Sequence, residues 1–385
     1  MKRRRVLFVD HAAVLGGAEL HLLDLATAYR QTSRVLVFAD GPLRERLEAA
    51  GVEVQVAPAP TAVLNVRTSG GLEALKTLPA LWWMAGQIAK AARGLEIVHA
   101  NSQKAFIAAA LATWRGSPPV VWHLHDILTA KHFSSLNRRV GVALANSRAA
   151  GVIVNSKATG EAFVAAGGRR ELVQVVYNGF SCEPFDRVTP EQVREIRTSL
   201  GIGNAPLVGI FSRLSYWKGQ HLLLEAIEKL PEVHALLVGE ALFGEEEYVS
   251  QLKSQAAIPQ LAGRVHWLGF RDDVPALMAA CDLVAHTSTE PEPFGRVIVE
   301  GQLAKRPVVA SAAGGAMELI QDGVTGRLFP SGDVHALAGM IKELLAKPEE
   351  AIALGQQAYT SAKANFSLET IIASFEQALS AICIK

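Results

Sequence analysis

Short runs of apolar, mostly β-branched residues alternate along this chain with longer stretches in which apolar positions return every three or four residues. The runs at 6–9, 35–38, 52–56, 97–100, 120–122, 152–154 and 173–177 predict strands, and their lack of polar interruption predicts burial on both faces. Between them, residues 18–29, 43–50, 72–92, 105–114 and 157–166 carry helical spacing. Such repeated strand-helix-strand units predict a parallel, doubly wound α/β sheet, because parallel neighbours need a crossover and a helix supplies it.

The alternation pauses at Ser181-Cys182-Glu183-Pro184-Phe185-Asp186-Arg187-Val188-Thr189-Pro190, which is polar, holds two prolines and reads as a linker. A second series follows, with strands expected at 207–211, 234–238, 265–268, 283–286 and 308–310 and helices at 220–229, 245–257, 274–280, 297–303 and 317–320. Two Rossmann-like domains are therefore expected, residues 1–180 and 190–366, with a cleft between the carboxyl ends of both sets of strands. The tail from 336 to 384 has helical spacing, broken at Pro348 and near Phe366-Ser367.

Composition narrows the class of partner. Of 385 residues half are apolar and the formal net charge is +1, so the chain carries no general electrostatic footprint for nucleic acid or for an anionic bilayer. Any membrane contact would have to be local, peripheral and at the inner face. Met1-Lys2-Arg3-Arg4-Arg5 resembles the start of a signal peptide, but Asp10 and His11 interrupt the apolar segment too early, and the stretch reads as a lead-in to the first strand. No apolar run reaches the roughly eighteen residues of a spanning helix. Three widely spaced cysteines, Cys182, Cys281 and Cys383, form neither a disulfide framework nor a zinc pattern, which favours the cytosol.

The densest chemistry lies in Glu290-Pro291-Glu292-Pro293-Phe294-Gly295-Arg296-Val297-Ile298-Val299-Glu300, just after the strand at 283–286. Pro293 restricts the residue before it and Gly295 lets backbone approach a ligand, so a helix can start only near Phe294 or Gly295, with Glu300 inside it. The free N–H groups of its first turn and the positive end of its dipole share a region with Glu292, which suits an anion bearing hydroxyls, such as a phosphate joined to a sugar. Without a ligand the same stretch reads as a solvated acidic loop beside a capped helix.

Other loops at strand ends carry charge or glycine. Arg213 and Lys218, five residues apart in Phe211-Ser212-Arg213-Leu214-Ser215-Tyr216-Trp217-Lys218-Gly219, can together neutralise a diphosphate. Gly16 and Gly17, after the first strand, admit backbone N–H groups to an anion, though the spaced glycines of a dinucleotide fingerprint are missing and a plain tight turn fits as well. His123 and His125 end a strand on the same side, by alternation, and one is expected to face the cleft; no nearby spacing supplies further metal ligands. Asn155-Ser156 and Asn178-Gly179 read as structural turns.

The order Glu292, Pro293, Phe294, Gly295 and then Glu300, with seven residues between the two glutamates, resembles family 4 of the retaining glycosyltransferases, GT-B enzymes of the bacterial polysaccharide type that use a nucleotide-sugar donor. Spacing to Glu300 selects Glu292 over Glu290. The resemblance extends over nearly the whole chain and implies roles by position. Glu292 would contact a donor-sugar hydroxyl, the backbone from Phe294 and Gly295 into Arg296 and Val297 would contact others, and Glu300 would hold the ribose. Arg213 and Lys218 would stabilise the leaving diphosphate, with Gly16 and Gly17 against it, and His125, in a His-Asp context, would lie near the donor sugar. The loop Phe270-Arg271 would read the base through its backbone, beside Gly239 at the end of the neighbouring strand, and Gly314-Gly315 would pack beside the site.

The implied donor is UDP-glucose or a related UDP-sugar, and the acceptor a saccharide or a lipid-linked sugar read by loops at 64–71 and 128–136. No cofactor and no metal are implied, since no D-x-D triplet occurs. The resemblance also implies a last helix, near 367–385, that returns to the first domain. A sugar-nucleotide binding protein without transfer activity and a GT-B epimerase of UDP-sugars are the alternatives. P-loop and G-x-S-x-G motifs are absent from the sequence, which removes kinase, ATPase and serine-hydrolase readings.

Overall fold

The computed structural model describes residues 3–12, 14–59, 78–129, 134–242 and 244–383. The expected loop at 64–71, residues 130–133 of the loop at 128–136, and residues 72–77 of the helix expected at 72–92 lie outside these.

Two units divide the chain, one of residues 1–179 with 368–385 and one of residues 180–367. In the first unit, among the described residues, seven strands pair in parallel: β1 Val6–Asp10, β2 Ser33–Val37, β3 Val54–Val56, β4 Ile97–Ala100, β5 Val120–Leu124, β6 Ala149–Val154 and β7 Val173–Val175. Their order is β3-β2-β1-β4-β5-β6-β7. Helices Gly17–Ala28, Pro42–Ala49, Leu78–Ala91, Gln103–Ala112, Ser135–Arg148 and Lys157–Ala165 make the crossovers. Leu78–Ala91 buries Met84, Ala85, Ile88 and Ala91, a stripe at helical spacing, and leaves Trp82 and Trp83 partly exposed.

Each face of this sheet has its own core. On one, the Trp122 ring stacks on Phe106 with centroids 4.6 Å apart. On the other, the helix Leu368–Cys383 sets Ile371, Phe375, Leu379 and Ile382 against the sheet, and Phe375 meets Phe8 and Tyr29. Where that helix crosses β6 the approach is close: a Cβ at Gly151 would stand 2.5 Å from Ile382 Cδ1, and the Ile382 side chain would have to shift.

The second unit repeats the design. Its strands β8 Leu207–Phe211, β9 His234–Val238, β10 Val265–Gly269, β11 Leu283–His286, β12 Val308–Ser311 and β13 Arg327–Phe329 are parallel, in the order β10-β9-β8-β11-β12-β13. Helices Gln220–Glu228, Glu246–Ala256, Val274–Ala280, Arg296–Leu303, Ala316–Leu319, Val334–Ala346 and Pro348–Phe366 flank it.

Several expectations need correction. Burial on both faces holds for the central strands of the first sheet but not for β3 and β7, which are half-buried: among the described residues each lies at a sheet edge, with a neighbour on one side only. The linker expected at 181–190 is occupied by a helical turn, Glu183–Asp186, and by the start of a helix, Pro190–Ser199, all within the second unit. That helix is announced by a capping box, in which Thr189 Oγ1 accepts from Gln192 N and Gln192 Oε1 from Thr189 N. The helix Ser135–Arg148 was not expected either; it buries only Gly141, Val142 and Ala145, too small a stripe to register as amphipathic. β13 is three residues long and, among the described residues, pairs with β12 alone.

Strand order reverses direction between β1 and β4 in the first sheet and between β8 and β11 in the second. Loops leaving the carboxyl ends of such a strand pair diverge to opposite faces and open a crevice, which is where doubly wound sheets bind ligands.

Candidate active site

At the reversal point of the second sheet three loops are tied together through glycines that admit no side chain. A Cβ on Gly239 (φ +135°) would stand 2.1 Å from Ser212 O, so the loops after β9 and β8 touch only because residue 239 is glycine. Gly219 (φ +70°) ends the turn Tyr216–Lys218, and a Cβ there would stand 2.0 Å from Thr287 O. There Thr287 Oγ1 donates to Gly219 O at 2.8 Å, and Thr289 N to Trp217 O at 2.8 Å. The β8 loop is thereby strapped to the β11 loop, which carries Lys218 to Glu292.

Glu292 is the centre of this cluster. Its carboxylate takes a hydrogen bond from Lys218 Nζ on one oxygen and contacts His286 Nε2 on the other, with Ser288 Oγ 3.3 Å away. All four side chains are largely buried. Burial pushes the Glu292 carboxyl up, but attraction to Lys218, then to His286, with hydrogen bonds from both, exceeds it and holds the group well below the usual carboxylate range. Glu292 is therefore an ionised acceptor with a defined orientation. Gly314 and Gly315 seat its loop: Gly315 N donates to Glu292 O at 2.8 Å, and a Cβ on Gly314 (φ +59°) would lie 2.3 Å from that oxygen.

A carboxyl held down in the folded chain gives its stability a pH dependence. The unfolded chain, with a value of about 4.3, takes up the proton first. The contribution of Glu292 is thus present above about pH 5 and lost as pH falls through the folded value. Urea unfolding of wild type and Glu292→Gln is expected to show a constant gap from neutral pH to about pH 5 that narrows below it. A gap unchanged at about pH 3 would remove the ionised pair as its source.

Phe294 is buried, stacked on Phe180 at 6.2 Å and edge-on to Phe366 at 6.1 Å, which anchors the loop just before the helix. Gly295 (φ +98°) is the N-cap, so the helix runs Arg296–Leu303. Arg296 lies over the Phe180 ring at 4.4 Å and 3.5 Å from Glu300, while its Nε and Nη1 are buried and have no hydrogen-bond partner among the described residues. Burial raises the Glu300 carboxyl, and Arg296 offsets this only in part. Val297 is half-buried on the same turn. Arg213 is 3.7 Å from Glu245, and its guanidinium and the Lys218 ammonium stand 6.0 and 4.1 Å from the Trp217 ring centre. Outside this cluster, Phe270 is exposed, with its N–H on Glu240 Oε1 at 3.2 Å, and Arg271 is paired twice with Asp273 at 2.8 and 2.6 Å.

In the first unit Gly16 caps the helix Gly17–Ala28 and donates its N–H to Glu19 Oε2 at 3.0 Å. The Glu19 carboxyl is pushed up to about 8, by burial first and then by Asp10. His123 and His125 do share a side, their rings 4.0 Å apart, but they differ in setting. His123 is fully buried, in contact with His99 Nε2 at 3.1 Å, and burial drives its imidazole well below the usual range. His125 follows β5, the strand next to the reversal pair β1 and β4, with Nε2 2.9 Å from Asn101 Oδ1. Asn155 and Ser156 support a turn, Ser156 Oγ accepting from Thr159 N at 3.0 Å.

His286 was missed from the sequence. Its signal was a histidine ending an apolar strand, six residues before Glu292, beside the reversal point that only the strand order discloses. Among the described residues, no three His, Cys, Asp or Glu side chains are grouped so as to hold a metal ion, and no helix is long and apolar enough to cross a membrane.

Two doubly wound sheets with charged, glycine-tied loops at the reversal points define an α/β protein of the GT-B fold. The second half matches the family model "Glycosyl transferases group 1" over residues 192–361, and the first half matches "Glycosyl transferase 4-like domain" over residues 16–179. The crystal structure of Anabaena Alr3699/HepE in complex with UDP-glucose is similar at 43% identity, covering 98% of this chain and 100% of that one, with a TM-score of 0.89. WaaG, a glycosyltransferase involved in lipopolysaccharide biosynthesis, shares the fold at 17% identity and a TM-score of 0.71, covering 97% of this chain and 98% of that one. Among curated proteins, the lipopolysaccharide core biosynthesis glycosyltransferase LpsE of Rhizobium meliloti is 31% identical over 46% of this chain and 50% of its own length. The chain spans about half the length of the curated relatives it matches. It belongs to the group 1 glycosyltransferases with a family 4-like first domain.

Proposed function

We propose that this chain is a retaining, metal-independent hexosyltransferase that moves glucose or a related hexose from a UDP-sugar to a saccharide or lipid-linked acceptor in polysaccharide or glycoconjugate synthesis. The observation that carries the reading is the contact of Lys218 with Glu292, which puts a cation and an oriented anion side by side at the reversal point of the second sheet. An ammonium has three N–H donors, so Lys218 can keep Glu292 and still donate to a phosphate oxygen. Its neighbour across Trp217, Arg213, supplies a second positive charge for the departing diphosphate. UDP, with and without glucose, and UDP-glucose are the ligands in the crystal structures of Alr3699/HepE, which supports a uridine nucleotide as donor.

In this reading Glu292 accepts from a hexose hydroxyl, the backbone from Phe294 to Val297 binds others, and Glu300 takes the ribose hydroxyls. Gly239, Phe270 and Arg271 border the base. Gly16, Gly17 and His125 are the residues of the first unit assigned to the donor. The bond from the anomeric carbon to the diphosphate breaks as the acceptor oxygen bonds to the same face, and the acceptor proton leaves with the phosphate oxygen. Orientation then supplies much of the rate.

Calorimetric titration of UDP in excess chelator, followed by NMR of the glycoside formed from UDP-glucose, tests the proposal. UDP affinity is expected to be unchanged by chelation, and the product to keep the donor's anomeric configuration. Loss of UDP binding with the metal would remove the phosphate-site assignment, and an inverted product would remove retention.

A further inference from the structure

Neighbouring strands of the first sheet end in a row of polar side chains: Asp10 closes β1, Asn101 follows β4, His125 follows β5 and Asn155 follows β6. They are joined in a chain. Asn101 Nδ2 lies 2.6 Å from Asp10 Oδ2 and 3.3 Å from Ala18 O, and Asn101 Oδ1 lies 2.9 Å from His125 Nε2. Asn155 Nδ2 donates to the His125 carbonyl at 3.3 Å, holding the backbone of the same residue. Asp10, Asn101 and Asn155 are almost wholly buried.

The direction of this chain is decided at its buried end. Burial pushes the Asp10 carboxyl up, but its hydrogen bond and attraction to His11, then bonds from Asn101 and Ala12, outweigh that and hold it below the usual carboxylate range. An ionised carboxylate only accepts, and so does the Ala18 carbonyl, so the amide nitrogen of Asn101 must face them. Its amide oxygen is thereby turned to His125. An amide oxygen also only accepts, so the hydrogen of the imidazole must be on Nε2.

We propose that Asn101 is a positioning residue for sugar transfer: anchored by Asp10, it holds His125 in the tautomer protonated on Nε2 and fixes the plane of the ring. With the hydrogen on Nε2, the lone pair of the ring lies on Nδ1, a buried atom, whereas the opposite tautomer would place an N–H there. This rests on the reading of the chain as a transferase in which His125 meets the donor sugar.

The full-length protein, labelled with ¹⁵N-histidine and recorded where free imidazole is neutral, reports the tautomer directly, the His125 signals being assigned with His125→Gln. The Nε2-H form is expected in wild type. The Nδ1-H form overturns the proposal, whatever the variants do and whether or not the chain transfers sugar.

A double-mutant cycle tests the link to transfer. Asn101→Ala is expected to lower kcat with UDP-glucose by about tenfold or more while leaving UDP affinity within about twofold. The same substitution in a His125→Ala background is expected to cost less than about twofold more. An undiminished loss there means that Asn101 does not act through His125 and overturns the proposal. Absence of any transfer by wild type overturns instead the functional reading beneath it.

Discussion

Lys218→Ala is expected to slow sugar transfer by at least about a hundredfold, the loss typical when a charge that meets a departing anion is deleted. Arg213→Ala is expected to do the same, but the two differ in what they do to the fold. Truncating Lys218 leaves the buried Glu292 carboxylate with His286 and Ser288 alone, and a mostly buried charge deprived of its partner costs roughly 3 kcal/mol. Arg213 is more exposed and stands 3.7 Å from Glu245, an ion pair worth no more than about 1 kcal/mol. Single-turnover rates beside thermal melts separate the effects: both variants slow, and Lys218→Ala alone melts clearly earlier. An Arg213→Ala enzyme with wild-type rate would take the arginine out of the chemistry.

Glu300→Gln is expected to weaken UDP and UDP-glucose alike, whereas Glu292→Gln weakens only the sugar nucleotide and slows transfer. The ground is position: Glu300 lies inside the helix Arg296–Leu303 beside Arg296, and Glu292 lies in the loop, held by Lys218 and His286. A hydrogen bond from a sugar hydroxyl to an ionised acceptor contributes roughly 1.5 to 3 kcal/mol, or about ten- to a hundredfold in affinity. Isothermal titration of both ligands against both variants reads the pattern. Equal losses of UDP affinity in the two, or a larger effect from Glu290→Gln than from Glu292→Gln, would mean that the glutamates have been assigned to the wrong subsites.

Part of this was legible in the residues themselves. Among the described residues the apolar runs named all but one of the strands. The central ones were named because a strand buried on both faces tolerates little else, and the half-buried edge strands β3, β7 and β10 because they still carry apolar residues. The exception, β13, is three residues at an edge and carries almost no signal. Pro293 and Gly295 announced the start of the helix that holds Glu300, since both act on the backbone locally. The helix Pro190–Ser199 was equally announced, by Thr189 and Gln192, and was masked by the prolines and polar residues around it.

What the sequence determined by itself, then, was local: where strands and helices fall, that they form parallel sheets, and which charged residues stand in loops at strand ends. The tertiary structure alone decided which of those residues meet. Lys218 and Glu292 are separated by 74 positions and touch because β8 and β11 are neighbours in the sheet and Gly219 lets their loops close on each other. His286 acquires its place on Glu292, Gly314 its place under the loop, and Asn101 its place between Asp10 and His125 by the same route. Periodicity is a property of a single segment, whereas strand order and the close approach of loops are properties of the packed chain, and no local pattern encodes them.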